Sequence, residues 1–99
     1  MAKGPEALVK RQVRGMLEEF GAWFFMPFMM GVGNAGVPDF MGIHKGRGFG
    51  IECKAGKNKP TKLQERELGR IVQAGGFALV VNETEGQEAL LRFLRDEQD

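Results

Sequence analysis

Tyrosine is absent from this chain, and histidine, cysteine and tryptophan occur once each, as His44, Cys53 and Trp23. The first absence excludes a tyrosine nucleophile, and a single imidazole excludes a His-rich metal site. A lone cysteine can form neither an internal disulfide nor a Cys-rich zinc site, which fits a reducing compartment. No stretch reaches the roughly 20 apolar residues of a membrane span. The first residues, "MAKGPEALVKRQVRG", lack the apolar centre of a secretory signal. A cytoplasmic protein without a membrane partner is expected. A length of 99 residues predicts one domain, residues 1–99, with little room for both a core and a long substrate groove.

Charge is present but unevenly spread. The formal net charge is +1, yet between Lys45 and Arg70 eight Lys or Arg face only Glu52, Glu65 and Glu67. From Glu83 onward the balance reverses, with six acids against Arg92 and Arg95. The middle segment suits a polyanion and the last suits solvent, although a charge run that only solvates a face has the same composition.

Val9, Val13, Met16 and Phe20 recur at helical spacing and predict a helix over Pro5 to Phe20, stopped by Gly21. Glu6 lies about 60° from the centre of that stripe and should lean toward the core side. "WFFMPFMM" predicts a strand over Ala22 to Met30, at an edge because Pro27 cannot donate to a ladder. Short strands follow at Asp39 to His44 and Phe49 to Lys54, joined by a turn at Lys45 to Gly48. Thr61 and Gln64 form a candidate capping box for a helix ending near Gly75 and Gly76. "FALVV" reads as a buried strand, and Thr84 with Gln87 as the cap of a last helix. The predicted fold class is α/β: a small mixed β-sheet flanked by helices, in the order αβββαβα, with a parallel crossover from Phe49 to Val81.

Gly31, Gly33 and Gly36 match the dinucleotide pattern G-x-G-x-x-G, but Pro38 favours extended backbone where that motif needs a helix to begin. A phosphate-binding P-loop fails as well, because no Gly-Lys-Ser or Gly-Lys-Thr occurs. Cys53 alternates with Glu52 and Lys54 along the strand and should point to the other face, as a small core residue rather than a partner of His44. Glu52 and Lys54 instead share one face, which is either a solvated salt bridge or a preorganised acid and base edge. The hairpin brings Asp39 beside Glu52. Two close carboxylates repel unless a cation lies between them, and hard oxygen ligands without thiolate or imidazole select Mg²⁺ or Mn²⁺. Lys54 there can position or deprotonate a water, or stabilise charge on a phosphate, so phosphodiester hydrolysis fits the parts.

Pro38-Asp39, a hairpin, then Glu52-Cys53-Lys54 resembles the signature of the PD-(D/E)xK nuclease superfamily. "NAGVPDF", "IECK" and "KPTKLQ" together resemble more closely the virus-type replication-repair nuclease (VRR-NUC) domain of stand-alone phage and bacterial type. The resemblance covers nearly the whole chain and implies a restriction-endonuclease-like core in a bacterial or phage-infected cell. It implies Asp39 and Glu52 as metal ligands together with the backbone carbonyl of Cys53, and Lys54 attending the attacking water. It also places Glu6 near the metal or its waters, and Gln64 approaching from the second helix.

The resulting expectation is a Mg²⁺- or Mn²⁺-dependent, structure-selective endodeoxyribonuclease; a chain this short has little left for reading base sequence. The resemblance points to branched DNA, such as four-way (Holliday) junctions or flaps. Lys45, Arg47, Lys57, Lys59 and Lys62 are expected to surround the site and contact phosphates. The alternatives are a non-catalytic nucleic-acid-binding module with the same fold, and an interaction protein joined through "WFFMPFMM". Resolving a four-way junction takes two nicks, so a homodimer is expected, with the strand around Phe24 and Phe28 or a neighbouring helix at its interface.

Overall fold

Pro5, preset to helical φ and needing no N–H partner in the first turn, opens helix α1 (Pro5–Glu19). The computed structural model of the chain describes residues 4–28, 36–83 and 85–96. Strands β1 (Trp23–Phe25), β2 (Phe40–His44) and β3 (Arg47–Cys53) follow, then α2 (Lys62–Gln73), β4 (Phe77–Val81) and α3 (Glu85–Leu94). The order is αβββαβα, as the hydrophobic periods predict. The strands form one sheet in the order β1-β2-β3-β4, antiparallel for the first two pairings and parallel for the third, with α2 as the crossover.

Alternation along the strands divides the sheet into two unlike faces. One face carries Phe40, Phe49, Ile51, Cys53 and Val81, which join Val9, Val13 and Leu17 of α1 and Leu90, Phe93 and Leu94 of α3 in the core. Each fully buried Val, Leu or Ile there contributes roughly 1.5–3 kcal/mol relative to exposure. The other face receives α2 over β3 and β4. Gly50 makes that approach close, since a Cβ on it would run into Ile71 Cδ1 and come within 3.1 Å of Pro38 Cγ. Across β1 and β2 this face is bare among the described residues, leaving Trp23 64%, Ile43 52% and Phe25 47% exposed.

The sequence-based boundaries need three corrections. The strand expected over Ala22 to Met30 is only Trp23–Phe25; it is an edge strand as expected, Pro27 lies beyond it, and Met29 and Met30 fall outside the described residues. The hairpin turn narrows to Lys45 and Gly46, with φ of 50° and 80°; two left-handed residues match the twist of the flanking strands, so pairing reaches His44 with Arg47. Asp39 and Lys54 lie just outside the strands to which they were assigned. The cap expected from Thr84 lies outside the described residues; Gln87 donates its amide N–H to Gln12 Oε1 at 2.6 Å.

His44 is buried at the hairpin, and its Nε2 lies 2.7 Å from the Leu94 carbonyl. A carbonyl oxygen only accepts, so Nε2 carries the proton of this bond and ties the end of α3 to the hairpin. Arg47 lies over the Phe93 and Phe77 rings at 5.0 and 5.8 Å on the same side.

Gly36 fixes where α2 begins. Its φ is +88°, and a Cβ built on it would fall against the Leu63 backbone. Gly36→Ala is expected to destabilise the fold by about 1–3 kcal/mol through left-handed strain alone. Urea unfolding checks this, and a midpoint equal to the parent's would show that the loop before Pro38 does not hold α2.

Candidate active site

The β2–β3 register, with Phe40 opposite Ile51, places Asp39 at the end of the sheet where β3 delivers Glu52. Asp39 is anchored there by the chain itself, because its Oδ2 accepts the Cys53 N–H at 2.8 Å. Glu52 lies on the α2 face and is only 2% exposed. Its Oε2 accepts from Gln64 Nε2 at 2.9 Å and lies 3.7 Å from Lys54 Nζ, whereas Oε1 is buried with no hydrogen-bond partner. A carboxylate oxygen in that position is expensive unless something cationic or protic completes it.

Electrostatics agree with the geometry. The Glu52 carboxyl is raised from 4.5 to about 7, first by burial, then by repulsion from Asp39, with Lys54 opposing the shift. Cys53 shows the opposite fate of a neighbouring residue: it points into the core, and burial followed by the charges of Asp39 and Glu52 pushes its thiol up to about 12. It is inert as a nucleophile at neutral pH, as strand alternation predicts.

Gln64 does two jobs at once. Its Oε1 accepts the Thr61 N–H at 2.8 Å while Thr61 Oγ1 accepts the Gln64 N–H at 3.2 Å, which completes the capping box. With Oε1 held by the cap, the amide nitrogen is aimed at Glu52. The helix start therefore orients the carboxylate.

Glu6 stands at the edge of the cluster: its side chain is 43% exposed, its charge adds to the upward shift of Glu52, and the Lys10 ammonium bridges it to Asp39, 3.9 Å from Glu6 Oε2 and 3.5 Å from Asp39 Oδ1. Among the described residues no three His, Cys, Asp or Glu side chains converge as a metal cluster. The donors that do converge are Asp39 and Glu52. Their hard oxygens, mutual repulsion and the unpartnered Oε1 fit a small divalent cation. Lys10 itself was not singled out from sequence; its signal is the spacing of four from Glu6 on one helix.

The expected cationic surround is only partly present. Lys57 and Lys59 lie exposed in the loop after β3, which is pinned by the Gly56 N–H donating to the Glu83 carboxylate at 2.9 and 3.2 Å. Lys62 opens α2 at the same end. Lys45 and Arg47 do not surround the site: Arg47 opens β3, about 17 Å from Glu52 at roughly 3.3 Å per residue, and Lys45 lies in the turn beyond it. Arg66 and Arg70, counted from sequence in the basic middle segment but not named as phosphate contacts, continue Lys62 at intervals of four along α2.

No protein-family model matches the chain, and no curated protein is similar enough to support a comparison. Among the described residues no helix is long and apolar enough to cross a membrane.

Proposed function

We propose that the chain is a metal-dependent, structure-selective DNA endonuclease, as its resemblance to the VRR-NUC domain implies. The observation that carries this reading is the paired Asp39 and Glu52 carboxyls, with a buried, unpartnered oxygen on Glu52 and the Lys54 ammonium beside it. A polyanion-binding surface gains nothing from acids clustered at its centre unless they hold a cation.

Asp39 and Glu52 would hold Mg²⁺ or Mn²⁺, with the Cys53 backbone carbonyl as the third protein ligand implied by the resemblance. A bound ion supplies Lewis-acid polarisation of a phosphoryl oxygen and a more acidic water. Gln64 keeps the Glu52 carboxylate in one orientation, and Lys54 positions the attacking water and meets the negative charge that builds on the phosphate. Lys57, Lys59 and Lys62 at the same end attract the backbone without reading bases. The Lys10 ammonium beside Asp39 favours the second reading, a non-catalytic module of the same fold, because it already neutralises one carboxylate.

Incubating the purified protein with linear, flap and four-way DNA in Mg²⁺, Mn²⁺ or EDTA separates the two. Metal-dependent cutting of the branched substrates is expected, with none in EDTA; binding without cutting in every metal would establish the module instead. We also propose a homodimer, since the site is single and junction resolution needs two. The exposed edge of β1 and Phe28, 82% exposed, are available for pairing. Phe24 is not, because it turns to the core side against Phe40 at 5.9 Å. Light scattering should give twice the chain mass of 11.0 kDa, and a monomer would remove the dimer.

A further inference from the structure

The bare half of the sheet is one wall of a groove whose other wall is α2. At its outer end the groove has a volume of about 500 Å³ between Trp23, Phe25 and Ile43 on the sheet and Ile71, Ala74 and Gly75 at the end of α2. It continues through Met41, Ile71 and Ala74 into a second space of about 290 Å³ bounded by Val37, Pro38 and Arg70. The second space ends at Pro38, the residue before Asp39 in the chain, and neither space is lined by Asp39 or Glu52 themselves.

Its two walls have complementary character. Trp23 and Phe25 present adjacent rings, with centroids 5.8 Å apart and an interplanar angle of 55°, both largely open to solvent. Along α2, Lys62, Arg66 and Arg70 repeat every fourth residue and so form one ridge. Glu67 accepts from Arg66 Nε at 3.1 Å and from Arg70 at 3.2 Å, steadying both guanidiniums while their remaining N–H groups stay free of it. Arg70 lines the second space, and the Arg66 guanidinium meets Glu67 at the same place, so cations stand across the groove from the exposed rings, an arrangement that suits a single nucleic-acid strand whose bases stack and whose phosphates meet the charge. A duplex keeps its bases inside and has no use for the rings.

We propose that this groove holds an unpaired DNA strand, with bases on Trp23 and Phe25 and phosphates at Arg66 and Arg70. What the strand undergoes at the site rests on the nuclease reading; the binding itself does not. The preferred substrate would then be DNA with an unpaired arm.

Trp23 is the only tryptophan, so its emission reports the groove directly. In EDTA, a short deoxythymidine oligomer is expected to quench that emission, and a blunt duplex of equal length to leave it nearly unchanged. By anisotropy of a labelled oligomer, the double variant Trp23→Ala/Phe25→Ala should bind at least about tenfold more weakly, as expected for loss of one stacked base, with duplex affinity changed less than about twofold. Both side chains are surface residues, and a circular dichroism spectrum equal to the parent's secures the comparison. Independently of the rings, Arg66→Ala/Arg70→Ala should flatten the salt dependence of oligomer binding by a slope of about 1.4, at roughly 0.7 per phosphate contact. Emission unmoved by the oligomer, or equal losses for oligomer and duplex, overturns the proposal. So does a dimer that dissociates in the Trp23→Ala/Phe25→Ala variant without any oligomer response, which would make a second copy the occupant. Oligomer binding in EDTA without cutting in Mg²⁺ would remove the nuclease reading and leave the groove assigned.

Discussion

Glu52→Gln is expected to make the metal-free protein more stable at pH 8, by up to about 3 kcal/mol, while abolishing cleavage. The Glu52 carboxyl sits at about 7 in the fold against an ordinary value of 4.5. Between these two pH values the folded chain keeps a proton that the unfolded chain has released, so stability is full below 4.5 and falls as pH rises toward 7. Above 7 the whole penalty is present. A glutamine at this position removes the charge, can still accept from Gln64, and can donate to Asp39. Urea unfolding in EDTA at pH 5 and pH 8 is the check: the parent should lose stability between them and the variant should lose less. Added Mg²⁺ should restore the parent at pH 8 and leave the variant unmoved. Parallel pH profiles would mean that Glu52 is not the strained group.

Lys54→Ala is expected to lower the cleavage rate by about 10²–10⁴-fold, the usual range for losing a positioned acid or base. DNA affinity should change little, since this ammonium is turned toward Glu52 at 3.7 Å and its side chain is only 14% exposed. Because Lys54 is the neighbour that opposes the rise of the Glu52 pKa, its loss should also move the stability decline of the metal-free protein to higher pH. A cutting rate near the parent's would end the catalytic assignment, and a decline at unchanged pH would end the electrostatic one.

Periodicity carried most of this fold. The alternation of Glu52, Cys53 and Lys54 correctly separated a buried thiol from a charged pair, and the spacing from Thr61 to Gln64 located the α2 cap. That spacing also put Gln64 on the face that meets Glu52, so the cap and the contact are one residue doing both. Lengths were less legible. "WFFMPFMM" is apolar on both faces, and Pro27, read there only as a sign of an edge, also marks that pairing with β2 ends before it, at Phe25. Charge was the least reliable guide to position: Lys45 and Arg47 are near Glu52 in sequence, but an extended strand carries them away at the full rise per residue. Lys10, far in sequence, reaches Asp39 because α1 crosses to that end.

The bond between His44 and the Leu94 carbonyl sets where Asp96 sits. It fixes the last turn of α3 beside the hairpin, so Asp96 lies at the end of the sheet remote from Asp39 and Glu52. A label or a solid support attached at Asp96 itself is held at the hairpin end, about 17 Å of strand away from the carboxylates. Protein immobilised through that end would present its acidic cluster outward, with the groove along α2 open to a strand arriving from solution.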